Sequence, residues 1–132
     1  MTVHRIRLRG PWLLEPAAAP DSPRTVRLPL PWCELVECGA DRVRLSRRFN
    51  RPTNLGLDDR VSVVVHELPK GALVCLNGTS LEQQAGHATQ DSVFDTSHLE
   101  PSNLLTVEFD VSTTSAARDD AWGEVALVIS SP

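Results

Sequence analysis

Leu105, Val107, Phe109 and Val111 alternate without a break with Thr106, Glu108 and Asp110. Successive side chains of an extended strand point to opposite faces, so this segment buries one face and wets the other. A helix turns about 100° per residue and would scatter the same apolar side chains around its cylinder. The period of two recurs elsewhere. His4, Ile6 and Leu8 alternate with Arg5, Arg7 and Arg9. Val61, Val63 and Val65 form one face of another segment, and Val64 makes it apolar on both faces, as in a central strand. Val125, Leu127 and Ile129 finish the chain in the same rhythm. No long window carries a helical period.

Turn residues separate these segments. Asn77-Gly78 follows the apolar run 73–76, and both residues tolerate positive φ, which a tight hairpin requires. The stretch Pro16 to Pro23 reads as a surface loop, and Pro29 and Pro31 confine the segment of Val26, Leu28 and Leu30 to a sheet edge. Gln83 to Gln90 and Ser112 to Ala121 are polar loops, with the short strand Val93-Phe94 between them. Asp95 is placed to cap the turn at Thr96 to Leu99 by accepting backbone N–H groups, and Asn103 to bond the backbone of the next turn. The pattern predicts an all-β fold, an antiparallel β-sandwich or jelly roll of about eight or nine strands.

At 132 residues the chain fits one domain, 1–132, large enough to bury a core without cross-links. Cys33, Cys38 and Cys75 are odd in number and lack C-x-x-C spacing, so they read as reduced thiols. No apolar run approaches a membrane span, and the N-terminal residues alternate charge with apolar side chains where a signal peptide is continuously apolar. A cytoplasmic protein is expected, in which Asn77-Gly78-Thr79 is a turn and not a glycosylation site. The net charge of −4 argues against nucleic-acid binding. It is unevenly spread: residues 1–60 hold 11 Arg against 7 acids, or +4, and residues 61–132 hold Lys70 and Arg118 against 10 acids, or −8. Either the halves interleave in space and screen one another, or a basic face persists.

Several motifs together resemble the N-terminal, non-catalytic jelly-roll domain of glycoside hydrolase family 2 enzymes, such as β-galactosidases and β-glucuronidases. That domain is galactose-binding domain-like. Leu76-Asn77-Gly78 resembles the family's "LNG" strand end. Phe94-Asp95-Thr96, Leu99, Asn103, Leu105 and Val107 match "F-D-(I/V)-T-x-x-L-x-x-G-x-N-x-L-x-V", with Ser102 in place of the usual Gly. Leu28-Pro29-Leu30-Pro31-Trp32 is similar to "V-P-x-x-W", and Arg47-Arg48-Phe49-Asn50-Arg51-Pro52 to "R-R-x-F-x-x-P" with one spacer missing. The resemblance spans Trp12 to Val128. It implies inward-facing Val74 and Leu76, and it implies an accessory domain, because the family's catalytic acids lie in a separate α/β barrel.

The residues agree that chemistry is absent. Glycoside hydrolysis needs two carboxyls across a sugar ring. Glu34, Glu37, Asp41, Asp58 and Asp59 read as solvated loop acids. His4, His66, His87 and His98 have no metal-ligand spacing, and no nucleophile elbow or phosphate loop occurs. No cofactor is expected. A structural calcium ion is seen in many galactose-binding-like domains, and Asp91 and Asp95 could contribute oxygens to one here, but the sequence has no dense acidic loop of the sort calcium prefers.

A sugar site needs an exposed aromatic face with polar groups around it. Phe49, Phe94 and Phe109 sit at core parity, and Trp12 and Trp32 match packing positions. Trp122, beside Gly123 after a polar loop, is the candidate platform, with core packing as its alternative. Gln83, Gln84, His87 and Gln90 supply hydrogen-bonding groups on the loop that follows the Asn-Gly turn. Arg47 shares parity with Val43, Leu45 and Phe49, so either a bulge shifts the register or Arg47 is partly buried against a carboxylate. It is the remaining ligand candidate. Two functions stay open: a non-catalytic carbohydrate-binding-like module, or an interaction or structural β-sandwich that docks a protein partner or self-associates as a homo-oligomer.

Overall fold

The computed structural model describes residues 2–18, 23–36, 41–84, 90–96, 98–111 and 120–132. In chain order the elements are β1 (Thr2–Arg7), β2 (Trp12–Pro16), β3 (Arg24–Val26), β4 (Leu30–Pro31), α1 (Trp32–Val36), β5 (Arg42–Asn50), β6 (Arg60–His66), β7 (Leu73–Leu76), β8 (Thr79–Ser80), β9 (Asp91–Asp95), β10 (Ser102–Asp110), β11 (Ala121–Trp122) and β12 (Val125–Ser131).

They form a four-stranded sheet, β1-β12-β6-β9, and a six-stranded sheet, β3-β2-β5-β10-β7-β8, with a small β11-β4 pair beside them. Every pairing is antiparallel. The inner faces share one apolar core, from Leu8 through Val63, Val107 and Phe109 to Leu127. The fold is an all-β sandwich.

Among the described residues the strand count is twelve, above the expected eight or nine. Eight strands are four residues or longer. The others, β3, β4, β8 and β11, are backbone pairings of two or three residues, too short for alternation to signal. The five-residue helix α1 is also invisible as a period; it places Trp32 and Leu35 one turn apart in the core.

The loop expected from Pro16 to Pro23 starts later than expected, because Pro16 closes β2 opposite Val43. Residues 19–22, 85–89 and 112–119 lie outside the described residues, so the polar loops expected there are described only at their ends. The strand returning from the Asn77-Gly78 turn is short: its residues Thr79 and Ser80 pair with Leu76 and Cys75, and Leu81 follows it.

Strand β6 lies between β12 and β9, and Val61, Val63, Val64 and Val65 are all buried, which accounts for its two apolar faces. Strand β10 lies between β5 and β7 and pairs with β5 through nine consecutive residues, Ser102 opposite Asn50 to Asp110 opposite Arg42. That ladder has no bulge. It fixes Arg47 opposite Leu105, on the core-facing parity.

Candidate functional site

The hairpin between β7 and β8 turns at Asn77 (φ 52°) and Gly78 (φ 84°), the positive angles that its sequence permits. The turn does more than reverse the chain. Asn77 Oδ1 accepts from Leu104 N at 2.8 Å, and Asn77 N donates to Leu104 O at 2.8 Å. Asn77 Nδ2 donates to Asn103 Oδ1 at 3.0 Å. Asn103 is fully buried and occupies both ends of its amide: Oδ1 also accepts from Glu100 N at 2.9 Å, and Nδ2 donates to Glu100 O at 2.8 Å. Two motif residues 26 positions apart thereby lock the hairpin onto the start of β10. This is an architectural network, because its polar atoms face each other and the backbone.

Asp95 accepts from Ser62 Oγ at 2.9 Å, across the β6–β9 pair. The backbone of the turn it was expected to cap includes Ser97, outside the described residues. Thr96 fastens the turn to β6 through its N–H and its hydroxyl, both donating to Val61 O. Asp91 and Asp95 stand at opposite ends of β9, four residues and about 13 Å apart, too far to share one ion. Asp91 meets His66 Nδ1 at 2.8 Å instead. Among the described residues no three His, Cys, Asp or Glu side chains gather as metal ligands.

The proposed sugar platform is corrected by its packing. Trp122 is 6% exposed, and its Nε1 donates to Glu67 O at 2.9 Å. Its ring meets Phe109 edge-on at 4.8 Å and Trp32 at 6.0 Å, inside an aromatic cluster. Neither face is open to a sugar. The packing alternative holds, and sequence position does not reveal it, because a two-residue pairing sets Trp122 opposite Leu30 of β4. All six aromatic side chains are buried, so the protein has no aromatic stacking surface.

The glutamines do not assemble a pocket with Trp122. Gln84 N donates to Val93 O, and Gln83 Nε2 donates to Ser92 Oγ at 3.2 Å. Gln90 is exposed, and its carbonyl accepts from Glu67 N. His87 lies outside the described residues, as does Cys38; Cys33 and Cys75 are free thiols.

Arg47 is half-buried with no bulge, so the burial alternative holds in part. Its partners are carbonyls and not a carboxylate: Nη2 donates to Gly10 O at 3.3 Å and Nη1 to Arg48 O at 3.1 Å, while the buried Nε has no partner. Burial lowers its pKa. It lines a cleft of about 350 Å³ between β1 and β5, walled by Ile6, Leu8, Phe49 and Leu127.

The two charge halves interleave on the outer face of the larger sheet. Arg42 and Arg44 of β5 face Asp110 and Glu108 of β10. Arg42 Nε donates to Glu108 Oε2 at 2.8 Å and Nη1 to Asp110 Oδ1 at 3.1 Å; Arg44 Nη2 meets Glu108 Oε1 at 3.0 Å and Nη1 lies 3.6 Å from Glu15. The Arg42 hydrogen bond, with Arg44 beside it, holds the Glu108 carboxyl below its usual range against the opposing effect of burial. Screening is therefore real on this face. It is weaker along β1 and just past its end, where Arg5, Arg7 and Arg9 line one cleft with Arg27.

Comparison with known proteins separates fold from function. No protein family model matches the chain, and no curated protein matches it. Solved structures do. The FMN-binding β-glucuronidase of Faecalibacterium prausnitzii L2-6 superposes with a TM-score of 0.70 at 23% identity, over 96% of this chain and 22% of that one. The β-D-glucuronidase of Dictyoglomus thermophilum gives 0.72 at 12% identity, over 97% and 28%. A putative β-galactosidase of Bacteroides fragilis gives 0.67 at 15% identity, over 98% and 23%. The chain thus has the fold of one part of family 2-like glycosidases and spans about a quarter of their length. No helix among the described residues is long and apolar enough to cross a membrane.

Proposed function

We propose that the chain is a non-catalytic, carbohydrate-binding-like accessory module of the glycosidase type. The observation that carries this reading is the extent of the likeness: almost the whole chain matches a minor share of each enzyme. The engagement of five of its acids within the protein fits the reading. Glu15, Glu108 and Asp110 are tied to Arg42 or Arg44, Glu34 lies 3.9 Å from Arg24, and Asp59 accepts from Gly56 N. Glycosidic cleavage needs carboxyls free to face a sugar from two sides. A reducing, cytoplasmic setting belongs to the same reading and is supported by the free thiols of Cys33 and Cys75.

The burial of every aromatic side chain favours a second reading, a β-sandwich that docks another polypeptide or a second copy and takes no sugar. Isothermal titration of the purified chain with neutral and charged mono- and oligosaccharides distinguishes the two. Tryptophan emission is a poor reporter, since all three indoles are in the core. Saturable heat with any saccharide supports the module reading. No heat, together with a dimer on size-exclusion chromatography, selects the docking reading. Sugar-cleaving turnover by the pure chain overturns both.

A further inference from the structure

Strand β1 is an outer strand of the four-stranded sheet and pairs with β12 alone. Arg5 and Arg7 share one parity along it, Arg9 follows two residues past its end, and all three are exposed. A main-chain bond from Leu28 N to Arg9 O, 2.6 Å, draws the segment around Arg27 alongside the end of this strand. Gly10 permits the approach: a Cβ there would lie 3.2 Å from Arg27 Cγ. The result is a cleft of about 290 Å³ lined by all four arginines. Gly123, on its floor, lies so close under Leu28 that a Cβ would meet Leu28 Cδ2 at 2.8 Å.

The charge in this cleft is poorly compensated. Among the described residues Glu124 is the one acidic residue in its lining. Asp91 is 4.0 Å from Arg5 and is already engaged by His66 at 2.8 Å. Arg7, Arg9 and Arg27 make no ion pair among the described residues, whereas Arg42 and Arg44 are each paired at 3.0 Å or closer. Charges on an edge strand deter unwanted strand addition, which accounts for Arg5, Arg7 and Arg9. It does not account for Arg27, which arrives from a different segment. Convergent like charges raise the local potential and draw anions even to a protein of net negative charge. Guanidinium groups present planar forks that match two oxygens of one oxyanion.

We propose that this cleft is an oxyanion-binding site, taking a small ligand that carries a carboxylate, sulfate or phosphate group. Its size, at the lower end of ligand pockets (about 300–1,000 Å³), suits one such group with a sugar-sized remainder. The inference goes beyond the accessory-module reading and does not require it.

The test is amide NMR of the full chain titrated at constant ionic strength with sodium sulfate, sodium glucuronate and glucose. Sulfate and glucuronate should give saturable shifts at residues 5–9, 27–28 and 123–126. The double variant Arg7→Gln/Arg27→Gln should weaken both by about tenfold or more. Arg60→Gln, which removes one charge from an exposed site elsewhere, should leave them unchanged. Both substitutions are on the surface, and unchanged melting curves check that the fold survives. Linear, unsaturable shifts, or equal losses in the double and Arg60 variants, would overturn the site in favour of a merely solvated basic face. Glucose binding with no anion response at the cleft would sink this inference and leave the module reading intact. Sulfate saturating the cleft with neither sugar bound would support the site independently of the carbohydrate reading.

Discussion

Replacing Asn103 by Ala tests the network that joins the Asn-Gly hairpin to β10. The substitution deletes three short hydrogen bonds, at 2.8, 2.9 and 3.0 Å, and a fourth at 3.5 Å to Phe49 O. Each short bond is worth about 0.5–1.5 kcal/mol net, and a buried group left without a partner costs about 1–3 kcal/mol. Glu100 and Asn77 are exposed, so water can take over part of their bonding. The expected loss is therefore about 2–3 kcal/mol, near the sum of the three net values, and about 6–15 °C in Tm for a chain of this size. Urea unfolding followed by circular dichroism measures it. Asn103→Asp should be no better than Ala, because an anionic oxygen then faces Glu100 O where Nδ2 donated. Asn77→Gly removes the partner amide while tolerating the φ of 52°, and the double mutant with Asn103→Ala should show a coupling of about 0.5–1.5 kcal/mol. A loss under about 0.5 kcal/mol for Asn103→Ala, with unchanged m-value, would refute the claim that this side chain fastens the hairpin.

Phe109→Ala should cost about 3–5 kcal/mol, since Phe109 is fully buried and its ring packs against both Trp32 and Trp122; calorimetry checks this. Gly123→Ala should cost about 1–3 kcal/mol, from its φ of 112° and the clash with Leu28, and a wild-type melting curve would contradict that geometry. Arg47→Met should be neutral or stabilising, because the apolar stem is kept while the partnerless Nε is removed; a loss above about 2 kcal/mol would show that its two carbonyl bonds outweigh that gain. Glu108 has a lowered folded-state pKa, so the stability it adds is full above the ordinary carboxylate range and is lost as pH falls through the folded value. Because the arginines are about one-third exposed, the effect is at most about 1 kcal/mol. The urea midpoint of wild type should exceed that of Glu108→Gln at pH 7 and converge with it in acid.

The sequence alone determined which faces of the long strands are greasy, because side-chain direction in an extended chain follows from residue parity. It therefore settled the all-β class, the burial of Phe49, Phe94 and Phe109, and the positive-φ turn at Asn77-Gly78. Arg47 was flagged by the same parity, but its partners were not, since Gly10 O comes from the β1–β2 connection and no local pattern encodes that meeting. Short pairings such as β4 with β11 escaped for the same reason: two residues cannot display a period. That pairing sets Trp122 opposite Leu30, 92 positions upstream in sequence, and its side chain is buried there. Charge was legible as an imbalance between halves. Only the tertiary structure decided where it cancels, at Arg42, Arg44 and Glu108, and where it accumulates, at Arg5, Arg7, Arg9 and Arg27. Electrostatic compensation depends on distance in space, and a β-sandwich built from non-local pairings separates that distance almost completely from distance along the chain.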